Sequence, residues 1–179
     1  MRIRFDFIAL ASLILVSCAS DPYDADQVAA PINHEAIYDL QAKVEANKKL
    51  LREIQFLATQ AANRHGIDHR LFHALIKHES AWDPDALSPK GARGLTQIMP
   101  RTGETECGLE RELLFEPELN LDCGAFYFSK LLNRFKNIKL ALAAYNSGET
   151  RVARLGRVPR IRETQRYVKR VMASWRESP

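Results

Sequence analysis

In the stretch Leu71-Phe72-His73-Ala74-Leu75-Ile76-Lys77-His78-Glu79-Ser80, the residues Phe72, Leu75, Ile76 and Glu79 stand at i, i+3, i+4 and i+7. At helical spacing these positions share one face, so three hydrophobes lead to a carboxylate where a fourth hydrophobe belongs. Burial among apolar side chains penalises the ionised carboxylate and raises its pKa, which makes a Glu a proton donor near neutral pH. The plainer alternative is a helix-end Glu whose head turns out to water. The groups that accompany it favour the chemical reading.

Ser80 and Trp82 follow Glu79 directly, and a loop containing Gly91 and Gly94 then delivers Gln97 and Met99. Such a loop can bring backbone donors and an amide over a carboxyl group. Much later, Ala143-Ala144-Tyr145-Asn146-Ser147-Gly148 adds a phenol and a second amide, groups suited to hydrogen-bonding sugar hydroxyl and acetamido groups. Taken alone, the same stretch also reads as a helix end capped by Asn146 and Gly148. Metal chemistry fits poorly. His65, His69, His73 and His78 form no His-Glu-x-x-His, and Glu79 lies about 240° around the helix from His73. No metal or other cofactor is expected, and no Gly-x-Ser-x-Gly provides a nucleophilic serine.

Helices must position these groups. Ile37, Leu40, Val44, Leu51, Ile54, Ala58 and Ala61 follow a 3,4 spacing that skips only Asn47. Residues 35 to 64 are therefore expected to form one long helix or two in line, packed on the chain's own core rather than on a coiled-coil partner. His65-Gly66-Ile67-Asp68 predicts a break, with Gly66 as C-terminal cap and Asp68 as the next N-cap. The Glu79 helix occupies residues 69 to 80. Pro84, Pro89, Gly91 and Gly94 predict a loop, and Leu95 to Met99 a short helical turn ended by Pro100. Further helices are predicted over Phe126 to Phe135, Ile138 to Tyr145 and Glu163 to Trp175. With no alternating strand pattern, the expected fold class is all-α.

The 179 residues, 46% hydrophobic and 27% charged, suit one globular domain plus a leading segment. Arg2 and Arg4 precede the apolar run Phe7 to Val16, which is too short to span a bilayer but suits a secretory signal over residues 1–17. Leu15-Val16-Ser17-Cys18 resembles a bacterial lipobox, in which Cys18 becomes the lipidated first residue; a plain signal with an incidental Cys is the alternative. Residues 18–34 read as a flexible tether, 35–49 as a helical extension and 50–179 as the folded domain. With Cys18 taken by lipid, Cys107 and Cys123 remain as an even pair in an oxidising compartment, as a disulfide or as two buried thiols. The net charge of +4 is uneven, since from residue 151 onward nine Arg or Lys stand against Glu163 and Glu177. That segment suits an anionic polymer surface, and without a nucleic-acid motif no nucleic-acid partner is expected.

Taken in order, Glu79-Ser80-Ala81-Trp82-Asp83-Pro84, Gly91-Ala92-Arg93-Gly94-Leu95-Thr96-Gln97-Ile98-Met99-Pro100 and Ala144-Tyr145-Asn146-Ser147-Gly148 resemble successive motifs of the soluble lytic transglycosylase catalytic domain, glycoside hydrolase family 23. Glu163-Thr164-Gln165-Arg166-Tyr167-Val168 is similar to a further motif near that domain's end. The resemblance covers roughly residues 50 to 172. It implies a lysozyme-like helical domain that cleaves the β-1,4 bond between N-acetylmuramic acid and N-acetylglucosamine in peptidoglycan glycan strands, leaving 1,6-anhydro ends. It also implies that Glu79 is the catalytic acid/base and that Ser88, Gln97, Met99, Tyr145, Asn146 and Tyr167 line the substrate groove. Thr96 stands where Met is more usual, which implies an altered groove shape. The segments around Cys107 and Asn120 to Ala125 look like those of smaller lytic enzymes that accompany secretion or conjugation machinery, an implied partner; a free-standing lipoprotein enzyme of wall turnover is the alternative.

Glycoside cleavage ordinarily uses two carboxylates. Only Glu79 is well placed in this sequence, and the resemblance implies substrate assistance instead. The muramyl acetamido group, oriented by Tyr145 and Asn146, stabilises the developing cation; Glu79 acts first as acid, then as base toward the C6 hydroxyl. Two rivals stand beside this: a hydrolytic muramidase using Asp83 or Asp85 as second carboxylate, and a non-catalytic peptidoglycan-binding component of a secretion apparatus. The expected location is exported, at the periplasmic face and lipid-anchored. Ala19 after Cys18 favours the outer membrane in a Gram-negative cell.

Overall fold

His34–Arg64 form a single helix, α1, in the computed structural model, which describes residues 34–178. The expected signal segment, Cys18 and all of the tether but His34 lie outside the described residues. The chain divides between Asp39 and Leu40 into two units, the larger running Leu40–Pro179. Within that unit Ile54, Ala58, Ala61 and Ala62 of α1 are buried, whereas Leu40 is 62% exposed and Val44 and Leu51 are exposed as well. The expectation that the whole stripe packs on the core is thus corrected for its front half. The domain's other buried side chains gather with α1 only from Ile54 onward, so the earlier apolar positions have no core to enter.

The break after α1 forms as its residues dictate. Gly66 takes a left-handed φ of 66°, and the Asp68 carboxylate accepts the Arg70 N–H at 2.9 Å to cap α2, His69–Glu79. Phe72, Leu75 and Ile76 of α2 are wholly buried, each contributing about 1.5–3 kcal/mol by leaving water. After Glu79 the chain turns sharply, with Ala81 and Trp82 both at positive φ, and the segment to Ile98 carries two isolated bridges, Leu87 with Arg93 and Arg93 with Ile98. No longer strand occurs among the described residues, and the fold is all-α.

Pro100 opens a helix rather than ending one. It stands at the start of α3, Pro100–Cys107, where a missing N–H costs nothing and a fixed φ helps. A short 3-10 turn, Glu112–Phe115, leads to α4, Pro117–Phe135, which also starts on a proline, nine residues ahead of the expected Phe126. The early half of α4 escaped notice because Asn120 and Gly124 interrupt its apolar pattern, although both are buried. α5 is Ile138–Ser147, α6 Glu149–Leu155 and α7 Arg162–Glu177. α6 was not anticipated: of its seven residues only Val152 is buried. Ala141, Leu142, Ala143 and Ala144 of α5 are fully buried, and small side chains there let neighbouring helices approach.

Helix α7 is held to α2 by two polar ties. Trp175 Nε1 donates to Asp68 Oδ2 at 3.1 Å, and His78 Nε2 lies 2.9 Å from Ser174 Oγ. A disulfide joins Cys107 at the end of α3 to Cys123 in α4, with Cα atoms 5.7 Å apart. Closing a loop of that sequence separation of 16 stabilises by about 3 kcal/mol in the chain-entropy model. Replacing both cysteines by Ala should lower the urea midpoint accordingly. Reductant should lower it for the wild type only; a wild type indifferent to reductant would remove the disulfide from the account.

Candidate active site

Glu79 is the final residue of α2, one turn beyond the buried Leu75 and Ile76, and the helix ends where the Ser80 N–H reaches back to the Ile76 carbonyl at 3.0 Å. Its Oε1 is buried and has no hydrogen-bond partner. Burial pushes the carboxyl up from an ordinary 4.5 to about 7; the Tyr167 hydroxyl opposes this and the Glu163 charge adds to it. Tyr167 is 3% exposed and its Oη is likewise buried and unpartnered, so it leans on the carboxyl electrostatically without an ordinary hydrogen bond. Burial first, and then the Glu79 charge, lifts the Tyr167 phenol well above its usual range. Glu79 is thus half-buried, with one carboxyl oxygen turned inward, rather than a helix-end Glu whose head lies wholly in water.

Two open cavities meet at the carboxyl. One, of about 460 Å³, is lined by Lys77, His78, Ser80, Leu87 and Arg170, among others; the second, of about 390 Å³, by Lys90, Met99, Tyr145, Asn146 and Glu163. Glu79, Ser88 and Gln97 belong to both. Of the residues named for a groove, Ser88, Gln97, Met99, Tyr145 and Asn146 therefore come together around Glu79. Tyr167 lines neither cavity and instead backs the carboxyl. Four separate parts of the chain converge here: the end of α2, the 86–99 loop, the end of α5 and the first turns of α7.

The loop is braced from below. Gln97 sits at a left-handed φ of 50°, and its Nε2 donates to the carbonyls of Ala86 at 3.0 Å and Gly94 at 2.9 Å. Its amide N–H groups hold the loop's shape, leaving the carbonyl oxygen as its acceptor toward the cavities. Thr96 is fully buried, so its departure from Met bears on packing and not on the groove's lining. Its Oγ1 donates to Asn120 Oδ1 at 2.7 Å, its N–H donates to the same oxygen at 2.8 Å, and its side chain fills the space beside Gly124. Asn120 Nδ2 completes the brace by donating to the carbonyls of Arg93 at 3.0 Å and Leu114 at 2.7 Å. Gly94, at φ 69°, passes so close to Asn120 and the Leu114 carbonyl that a Cβ would collide with both. Tyr145 Oη donates to the Thr96 carbonyl at 2.9 Å, tying α5 to the same loop.

Sequence reasoning missed Asn120, Lys77 and Arg170 as residues of the site or its support. It named Glu163 only as part of a motif, yet this side chain stands in the second cavity, 3.9 Å from Lys90 Nζ. Asp83 and Asp85, the carboxylates offered as partners, line neither cavity; Asp83 Oδ1 accepts the Asp85 N–H at 2.9 Å in a local turn. His78 lines the first cavity, whereas His65 and His73 take packing roles. His65 Nε2 lies 3.0 Å from Asp122 Oδ1, and His73 Nε2 lies 3.0 Å from Thr59 Oγ1 with its ring edge-on to Trp82.

Fold and site together define a lysozyme-like helical domain organised around one half-buried carboxylic acid. Residues 56–168 match the Transglycosylase SLT domain, and the chain belongs to that family. It is similar to membrane-bound lytic murein transglycosylase F 1 of Alkalilimnicola ehrlichii, 42% identical over 96 residues, which is 50% of this chain and 19% of that protein. It is also similar to the soluble lytic murein transglycosylase of Escherichia coli K12, 34% identical over 121 residues, 56% of this chain and 19% of that one. The solved structure of the 70 kDa soluble lytic transglycosylase of Escherichia coli matches with a TM-score of 0.61 at 31% identity, over 66% of this chain and 23% of the other. The matched stretch thus spans about a fifth of the length of these relatives.

Proposed function

We propose that this domain is a peptidoglycan lytic transglycosylase, cleaving the β-1,4 bond between N-acetylmuramic acid and N-acetylglucosamine with Glu79 as the single acid and base. One observation carries the reading: a carboxyl with one oxygen buried and unpartnered, its pKa pushed up to about 7, lies where two open cavities meet. A glycan strand lying through both cavities brings a glycosidic oxygen to Glu79. The protonated carboxyl gives its proton to that oxygen as the bond from C1 breaks, and the acetamido group stabilises the cation. The resulting carboxylate takes the proton of the C6 hydroxyl while its oxygen bonds to C1, closing the anhydro ring with no water consumed. Asn146 orients the acetamido group from the second cavity; Tyr145, its hydroxyl committed to the Thr96 carbonyl, holds Asn146 and the loop in place.

A second reading, hydrolysis, rests on Glu163, a carboxylate in the same cavity that could position water. Digestion of purified peptidoglycan with mass spectrometry of the products separates the two. Anhydro ends, lighter by one water than reducing ends, are expected; reducing ends would overturn the transglycosylase reading in favour of a muramidase.

The same reading places the protein at the cell envelope. Relatives named as membrane-bound transglycosylases support this, with Cys18 as the expected lipid anchor and export to the periplasmic face, in the outer membrane of a Gram-negative cell. The role is wall remodelling or local opening of the wall for secretion or conjugation machinery, and the segments around Cys107 and Cys123 support the second.

A further inference from the structure

The two cavities flanking Glu79 differ in charge. In the second, Lys90 and Glu163 lie 3.9 Å apart and offset one another. In the first, Lys77 and Arg170 are the cations, and Glu79 is the sole acid among its lining residues. Among the described residues the ion pairs include neither Lys77 nor Arg170. We propose that this first cavity is an anion subsite, in which Arg170 and Lys77 receive a carboxylate carried by the muramyl residues of the glycan strand. The inference rests on the transglycosylase reading and adds to it a determinant of which strands are bound.

The placement of both cations is fixed by the fold. Ser174, one helical turn after Arg170 and so on the same face of α7, meets His78 at 2.9 Å, which brings Arg170 over the end of α2 beside Lys77. Burial, and then the charges of Arg170 and Lys77, lower the His78 pKa from its ordinary value. Ser80 and Ser88 add hydroxyls to the rim. N-acetylglucosamine carries no charge. Every muramyl residue carries a lactyl group whose carboxylate is either free, on peptide-stripped strands, or amide-linked to a peptide that bears carboxylates of its own. A guanidinium presents a planar fork that matches a carboxylate, and an ammonium beside it adds a mobile point charge.

The test measures binding by calorimetry on the full chain carrying Glu79→Gln, so that ligand is not consumed, with and without Lys77→Gln and Arg170→Gln. Both positions are exposed, so the substitutions should leave the fold intact, which a melting curve checks. Three ligands are compared: glycan strands with peptides, strands stripped by an amidase, and chitooligosaccharide, which has no carboxylate. The double substitution should weaken binding of peptide-bearing strands about tenfold, leave chitooligosaccharide unchanged, and flatten the salt dependence. A loss confined to peptide-bearing strands assigns the peptide carboxylates, a loss confined to stripped strands assigns the free lactyl carboxylate, and a loss on both shows that the subsite takes either. Equal losses on chitooligosaccharide, or no loss on any ligand, would overturn the anion subsite while leaving cleavage by the wild type untouched. A wild type that releases no product from peptidoglycan would instead overturn the proposed function.

Discussion

Glu79→Gln is expected to lower release of glycan products at least about a thousandfold, because one side chain is asked to serve as both acid and base. The same substitution should raise stability at alkaline pH. The carboxyl titrates near an ordinary 4.5 when unfolded and near 7 when folded, so folding disfavours its ionised form. The stability linked to this group is fully present below pH 4.5 and is lost as pH rises through about 7. The difference amounts to on the order of 3 kcal/mol. Wild type and variant should therefore unfold at the same denaturant concentration at pH 4, and the variant should be the more stable at pH 8. Wild-type kcat/KM should in turn fall above about pH 7, as the acid form disappears. A variant less stable than wild type at pH 8 would identify Glu79 as an ion-paired structural carboxylate and remove the basis for its chemical role.

That prediction was legible in the sequence because the helical period is rigid: a carboxylate at i+7 from Phe72 must follow the buried face that Phe72, Leu75 and Ile76 establish. The all-α class, the break at Gly66 and the cap at Asp68 were readable for the same local reason. What escaped is non-local or lies in the backbone. Ala81, Trp82 and Gln97 adopt left-handed φ without being glycine, and no residue type announces that; the surrounding packing enforces it. Arg170 reaches the Glu79 cavity only because α7 is tied to α2 through Ser174 and Trp175, contacts that span about a hundred residues of chain. The front half of α1 shows the converse. A regular apolar spacing specifies a face but not what covers it, and Leu40, Val44 and Leu51 are exposed in this structure.

Asn120→Ala is expected to cost about 4 kcal/mol of stability, far more than an asparagine in a polar-looking stretch of sequence would indicate. The side chain is fully buried and serves four hydrogen bonds with Thr96, Arg93 and Leu114. The Arg93 carbonyl keeps its bond from the Ile98 N–H after truncation, and Thr96 Oγ1 keeps the Asn120 backbone carbonyl. The Thr96 N–H and the Leu114 carbonyl lose the partner that Asn120 supplied, each at about 1–3 kcal/mol, and a cavity adds to the loss. Urea denaturation measures the sum. Activity should fall too, through the loop that carries Ser88 and Gln97 to both cavities, but the pH at which kcat/KM declines should stay where it is. Asn120 touches neither Glu79 nor Tyr167, so it can move the loop without changing what raises the carboxyl's pKa. A shifted pH profile, or an unchanged urea midpoint, would show that the brace beneath the loop is not what positions the groove.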